Sequence, residues 1–287
     1  MSSLKSYSAN DLFNYISKKE DLLVLDVRNE EDFGRFNVEG PFSIKMANVP
    51  YFDFMEEEDI SVAKVSREKP IKVVCAKEGS AQYVGEILVS HGFEDVAFLE
   101  GGIKTWGNLL MPKRINLESD DYALYQFIRP GKASCNYGLI YQGEMVIFDP
   151  SRNYDFYRSF ADRHQVKIVR TFETHLQADY ISGSKQIANQ TGAEIMAHIG
   201  DFSNASFQYN EVHDGESFEM GGNGPVVKVM HSPGHTPGST SYIIDDKYFI
   251  SGDTIFIQSV GRPDLGGKAK EWAAMLYDTL TNKVQNL

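Results

Sequence analysis

The sequence has little cysteine, little basic charge and no long apolar run, and each shortage removes a class of protein. Only Cys75 and Cys135 occur in 287 residues. Their surroundings place them in different domains, so neither a disulfide framework nor a thiolate zinc cluster can be assembled. The 28 Lys and Arg are outnumbered by 40 Asp and Glu, a formal net charge of −12. A phosphate backbone would be repelled, and nucleic acid is not an expected partner. No apolar stretch approaches the roughly 18 residues of a membrane span. The start, Met1 to Tyr7, lacks the basic flank and apolar centre of a signal peptide. No membrane partner and a cytoplasmic location are therefore expected. What is present is an ordinary globular composition, 42% hydrophobic and 24% charged, in a length that accommodates two domains of about 100 to 200 residues each.

Hydrophobic patterning divides the chain. Over residues 8–100, short apolar runs alternate with helix-like segments, as in a parallel sheet covered by helices. The runs are LLVLDV (22–27), IKVVC (71–75) and VAFL (96–99), uniform enough to be buried on both faces. Ser8 with Asp11 forms a capping-box pattern, and Ala81, Val84, Ile87 and Leu88 mark the buried stripe of a later helix. A polar stretch, PKRINLESDD (112–121), reads as a linker. From Tyr122 the pattern changes to consecutive strands (YALYQFI, ASCNYGLIY, EMVIFDP), an antiparallel meander ahead of a first helix near residues 156–164. The expected organisation is a small α/β domain over 1–111, a linker over 112–121 and an α+β domain over 122–287. Cys135, inside a strand-like run, is expected in the core.

Cys75 follows the strand IKVV directly and precedes an amphipathic helix. Such a junction aims backbone N–H groups and the positive end of the helix dipole into the loop, which favours a thiolate and stabilises anions. Taken alone, a cysteine at a strand end is more often a small hydrophobe. Three separated segments change that weighting: LDVR followed by EDF (25–33), the Cys75 loop, and LEGGIKTW (99–106). In this order they resemble the rhodanese family. The resemblance implies that Cys75 is the nucleophile that takes a sulfane sulfur from thiosulfate or a persulfide and passes it to a thiol. Lys77 is the one cation inside the loop and the candidate for contacting the donor. Asp26 and Arg28 read as a structural ion pair.

Four later segments carry a metal pattern: THLQADY (174–180), HSPGHTPG (231–238), SGDT (251–254) and GRPD (261–264). His235 sits between two Pro-Gly pairs as a rigid loop ligand, and Asp253 closes a strand where a carboxylate can meet a cation. His231 is four residues before His235, but Ser-Pro-Gly between them forbids a helix, so it reads as structural. His91, His164, His198 and His213 have no matched partners in the pattern. These segments resemble the metallo-β-lactamase superfamily, specifically its persulfide dioxygenase branch, related to thioester hydrolases of the glyoxalase II type. The implied fold is an αββα sandwich. Two-zinc members use an H-x-H-x-D-H motif, which this chain breaks with Gln177 and Tyr180. The dioxygenase branch implies one iron held by His175, His235 and Asp253, with Arg262 as substrate anchor. Asp179 is left a supporting role behind the ligands. Two imidazoles and a carboxylate match the facial triad of non-haem Fe(II) oxygenases, while zinc with a bound water is an alternative occupant.

Members of that superfamily usually continue with a strand bearing P-A-H and a closing helix. The chain ends at Leu287 just after the expected helix over 271–286, so the domain reads as incomplete at its C-terminus. Missing elements would leave edge and apolar surface for a partner or second copy to cover; a homo-oligomer is left open. The expected activity is an iron-dependent persulfide dioxygenase joined to a sulfurtransferase. The expected small-molecule partners are low-molecular-weight thiols, persulfides and thiosulfate. Two alternatives stand beside it: a sulfurtransferase with a degenerate metal domain acting as a binding module, and a mononuclear zinc thioester hydrolase.

Overall fold

The computed structural model describes residues 3–132, 134–178 and 180–287. They group into two compact units, 1–111 with 128–134, and 112–127 with 135–287.

The first unit begins β1 (Lys5–Tyr7), α1 (Ala9–Ser17), β2 (Leu23–Asp26), α2 (Glu30–Arg35) and β3 (Lys45–Asn48). It continues α3 (Tyr51–Glu56), α4 (Glu58–Ala63), β4 (Ile71–Val74), α5 (Glu78–Ser90), β5 (Val96–Leu99) and α6 (Ile103–Asn108). The five strands form an all-parallel sheet in the order β1-β5-β4-β2-β3. Period-two alternation sends LLVLDV into two separate cores. Leu25 and Val27 join Phe54, Val84 and Leu88 on one face, while Leu22 and Val24 join Leu12, Ile16 and Trp106 on the other. Both faces being covered explains why the runs carry no polar stripe. The Ser8–Asp11 capping box starts α1 as expected. Arg28 and Asp26 pair at 2.6 Å, both buried. The same guanidinium donates to the carbonyls of Asp32 and Phe36. Its donors are thus spent on holding the turn after β2, a structural role.

The chain continues with β6 (Met111–Arg114), β7 (Ala123–Arg129), β8 (Ser134–Tyr141), β9 (Glu144–Phe148), α7 (Tyr154–His164) and β10 (Lys167–Phe172), most of whose residues belong to the second unit. Then come α8 (Ser184–Thr191), β11 (Glu194–Ala197), α9 (Ile199–Phe202), β12 (Asn210–Glu211) and β13 (Ser217–Glu219). It closes with β14 (Val226–His231), β15 (Thr240–Ile244), β16 (Tyr248–Ile250) and α10 (Ala269–Asp278). Seven strands make a sheet in the order β12-β11-β10-β9-β8-β7-β6, and four make an antiparallel sheet β13-β14-β15-β16. The inner faces share one core: Phe148, Phe172 and Met196 from the larger sheet meet Val227, Val229, Tyr242 and Ile244 from the smaller. This is a sheet-on-sheet sandwich. The chain meanders antiparallel from β8 to β9 and turns parallel from β9 through β12, because α7 and α8 supply the crossovers.

Some expectations are corrected. Cys135 is exposed at the start of β8. The adjacent buried position belongs to Asn136, which donates to the Asp149 carbonyl and accepts from Tyr157 Oη. Alternation put the amide inside because it had two buried partners and the thiol had none. Residues 112–121, expected as a linker, carry most of β6 and a turn built on Asn116. That buried amide donates to the Tyr122 carbonyl and accepts from Leu124 N. The closing helix is α-helical only to Asp278 and continues as a π turn over Thr279–Lys283. Among the described residues no helix is long and apolar enough to cross a membrane.

Candidate functional site

Each unit brings a set of predicted residues together. In the first, Cys75 leaves β4 and only Ala76 and Lys77 separate it from α5. The thiol is 6% exposed and packs with Val73, Ala81 and Val84 in the core on the α5 side. A segment distant in sequence braces the loop: Ile103 N donates to the Cys75 carbonyl at 2.8 Å, and Gly101 N donates to Glu78 Oε1 at 2.6 Å. Gly102 has a φ of +70°, and a Cβ there would lie 2.5 Å from the Ala76 carbonyl oxygen. That is why LEGG appears with the cysteine: its backbone must press against the loop where a side chain would collide. Lys77 is exposed at the N-cap of α5, on the rim of the loop.

In the second unit, the predicted ligands converge. One donor atom each from His175, His235 and Asp253 lie within 4.8 Å of one another. His175 follows β10, His235 lies in the turn between β14 and β15, and Asp253 follows β16, so the group joins strand ends of both sheets. His175 Nε2 and His235 Nε2 stand 3.9 and 3.6 Å from Asp253 Oδ2, and the imidazole rings are edge-on at 86° with centroids 5.0 Å apart. Both histidines are nearly fully buried and the carboxylate is part exposed.

The opposite ring nitrogens are held by the protein. His175 Nδ1 is 2.9 Å from Thr174 Oγ1, and His235 Nδ1 is 3.0 Å from the Arg262 carbonyl oxygen. Fixing Nδ1 orients each ring so that Nε2 faces the shared space, the usual arrangement behind metal-bound histidine. Donors around a four-coordinate zinc at about 2.05 Å lie about 3.4 Å apart. The two imidazole–carboxylate spacings need about half an ångström of contraction or less. The donor set and its spacing therefore fit a single divalent cation with open positions.

Behind His175 lies a layer of buried acids. Asp149 accepts from Thr174 N at 2.7 Å and from Thr174 Oγ1 at 2.8 Å. Burial pushes its carboxyl up to about 7, against the opposing hydrogen bonds from Thr174. Glu173 accepts from the Ser182 and Ser184 hydroxyls. Burial, with nearby Asp149, pushes it up to about 8. Gln177 Nε2 lies 3.3 Å from His175 Nδ1, and Tyr180 Oη donates to the Asp149 carbonyl at 3.1 Å. Gln177 thus lies against His175 itself, and Tyr180 against the backbone of the acid behind it.

The other candidates are placed as follows. Arg262 offers its carbonyl to His235, while its exposed guanidinium makes a two-pronged pair with Asp264 at 2.6 and 2.8 Å. Asp179 lies outside the described residues. Gly261 permits the approach of its segment, since a Cβ there would lie 2.0 Å from the Asp253 carbonyl oxygen and 2.9 Å from His235 Cβ. Sequence reasoning missed Asp201, which bonds to both histidine loops. It also missed a pairing of two histidines: His231 and His198 stack at 4.1 Å, and His231 Nε2 meets the Pro237 carbonyl at 2.9 Å. Neither has a local motif; the one available signal was an Asp three residues beyond a histidine at the end of a strand.

Comparison with known proteins agrees with this division. The rhodanese-like domain family matches residues 8–109, and the metallo-beta-lactamase superfamily matches residues 130–284. A hydroxyacylglutathione hydrolase of Rhizobium etli is 34% identical over 103 residues, 36% of this chain and 40% of that protein. The chain thus spans less than half the length of that relative. The thiosulfate sulfurtransferase GlpE of Shewanella oneidensis is 27% identical over 106 residues, 37% of this chain and 95% of that protein. Among solved structures, a metallo-beta-lactamase from Staphylococcus aureus superposes with a TM-score of 0.54 at 26% identity, covering 58% of this chain and 54% of that one. With its sandwich, its strand-end ligands and a match over more than half its length, the chain belongs to the metallo-β-lactamase superfamily and carries a rhodanese-like domain ahead of that fold.

Proposed function

We propose that the protein handles sulfane sulfur at two sites, transferring it at Cys75 and oxidising a low-molecular-weight persulfide at an iron held by His175, His235 and Asp253. The observation that carries the second half is the group of three ligand atoms from these residues within 4.8 Å, with Gln177 against the far nitrogen of His175 and Tyr180 on the Asp149 carbonyl. One cation with two or three open positions suits binding of a sulfur anion and O₂ side by side.

At Cys75, the thiolate attacks the outer sulfur of the donor. With thiosulfate the S–S bond breaks, sulfite leaves, and the cysteine persulfide remains. A thiolate acceptor then takes that sulfur and regenerates Cys75. The short loop into α5 supplies N–H groups to the developing negative charge, and Lys77 attracts an anionic donor to the rim. At the second site the net reaction is persulfide plus O₂ plus water giving thiol, sulfite and two protons. Ferrous iron, when bound, supplies the activation of O₂. The chain's own residues orient the site: Thr174 and the Arg262 carbonyl fix the two imidazoles, and the Arg262 side chain, on exchanging Asp264 for a substrate carboxylate, anchors the thiol moiety bidentately.

The test is anaerobic loading with Fe(II) followed by O₂ uptake with glutathione persulfide. One sulfite per O₂ is expected. No uptake from a fully iron-loaded sample overturns the dioxygenase assignment. A mononuclear zinc thioester hydrolase is the second reading, supported by the likeness to a hydroxyacylglutathione hydrolase. It predicts zinc in the purified protein and thioester cleavage without oxygen.

A further inference from the structure

We infer that Asp201 is the positioning residue that sets the spacing of the two histidine ligands, by tying together the two loops that carry them. This rests on the metal-site reading and concerns how the site is kept ready for its ion.

The two imidazoles belong to different sheets. His175 follows β10 of the seven-stranded sheet, and His235 lies between β14 and β15 of the four-stranded sheet. Sheets packed through side chains can slide by fractions of an ångström, whereas a metal site tolerates little such error. Something polar and directional has to fix one loop against the other. Asp201, in α9 just beyond β11, does so with three hydrogen bonds. Its Oδ2 accepts from Leu176 N at 2.9 Å, next to His175. The same oxygen accepts from Thr236 Oγ1 at 2.7 Å, next to His235. Oδ1 accepts from Gly238 N at 2.7 Å.

An ionised carboxylate only accepts, and every partner here donates, so the side chain suits its place. The approach is close enough that a Cβ on Gly238 would lie 2.6 Å from Asp201 Cγ and 2.5 Å from its backbone nitrogen. Glycine at the end of the HTPG segment is thereby accounted for. Asp201 itself is seated by α9, where its N–H and that of Phe202 reach the His198 carbonyl and His198 Nδ1 accepts from Gly200 N. Two further struts join the same regions, Thr240 N to the Thr174 carbonyl at 2.7 Å and Tyr242 Oη to the Glu173 carbonyl at 2.8 Å. Neither involves Asp201, so the sandwich retains cross-links when the carboxylate is changed.

Asn fits the same volume but replaces one acceptor oxygen with an NH₂ that must confront an N–H or hydroxyl donor. Asp201→Asn in the full chain should therefore weaken metal binding by about 10- to 100-fold, the usual cost of disturbing groups behind the ligands. The measurement is competition with a chromophoric chelator, using Fe(II) without oxygen and Zn(II) in parallel. The cobalt-substituted visible spectrum should shift, reporting altered ligand geometry, while thiosulfate sulfur transfer stays as in the wild type. A metal affinity within twofold of wild type overturns the inference. If the variant does not fold, Thr236→Val decides. Several-fold weaker binding restored by Thr236→Ser supports the bridge, and unchanged binding overturns it. Failure of the wild type to bind either ion would remove the metal reading itself, a distinguishable result.

Discussion

The two candidate sites differ in how they are assembled. Cys75 is presented by one strand-to-helix junction, with Gly101 and Gly102 bracing it from outside. The candidate metal group draws its three residues from strand ends in two sheets, with Thr174, the Arg262 carbonyl and Asp201 bonded to them or to their loops. A thiol at a strand end requires a loop of the right curvature. Three ligands to one ion require relative positions across a packed interior, and a hydrogen-bonded layer behind the ligands supplies them.

If the sites are built independently, their losses should separate. Cys75→Ala should reduce thiosulfate sulfur transfer more than about a hundredfold and leave the metal content unchanged. His235→Ala should retain less than about a tenth of the wild-type metal and leave sulfur transfer unchanged. Elemental analysis and a sulfite-release assay on both variants settle the matter. Cross-effects on folding-competent protein would break the comparison.

The braces come next in size. Gly102→Ala places a side chain at φ +70° and 2.5 Å from the Ala76 carbonyl, a strain of about 1–3 kcal/mol. Thermal melting and sulfur transfer should both suffer. Gly261→Ala drives a Cβ into the Asp253 carbonyl at 2.0 Å, an overpacking cost of about 1–3 kcal/mol. Here chelator competition should show weakened metal binding while sulfur transfer persists. Arg262→Ala leaves the carbonyl that holds His235 in place. It should raise KM for a carboxylate-bearing persulfide about tenfold with metal content unaltered; an unchanged KM would remove Arg262 from substrate binding.

The smallest effect concerns the capping box of the first unit. Ser8→Ala should cost about 1 kcal/mol. The Ser8 hydroxyl and N–H hold the Asp11 carboxyl below its ordinary range. A lowered folded-state value means the stabilisation is complete above the unfolded value and is lost as pH falls through the folded one. The melting difference between wild type and Ser8→Ala should therefore narrow in strongly acidic buffer, which a pH series of thermal melts would show.

Much of the fold was legible because its signals are local. LLVLDV and IKVVC carry no polar alternation, which specified a sheet buried on both faces, and Ser8 with Asp11 marked the first helix start. The expectation failed at Cys135 and over 112–121, where the deciding partners lie elsewhere. Tyr157 and the Asp149 carbonyl draw Asn136 inward, and Tyr122 and Leu124 order the turn at Asn116. Polar side chains of that kind show in sequence as loop-like residues until their buried acceptors are known.

The sequence by itself determined the two families of motif, the nucleophile candidate Cys75 and the ligand candidates His175, His235 and Asp253, because each sits in a short contiguous segment at the end of a strand or in a tight loop that can be read without its distant partners. Only the tertiary structure decided that the three ligand atoms share one space, that Arg262 serves through its carbonyl while its guanidinium pairs with Asp264, and that Asp201 joins the loops. Asp201 lies 25 residues from Leu176 and 35 from Thr236. Hydrogen bonds across such separations depend on how two sheets pack, and no local pattern encodes that distance.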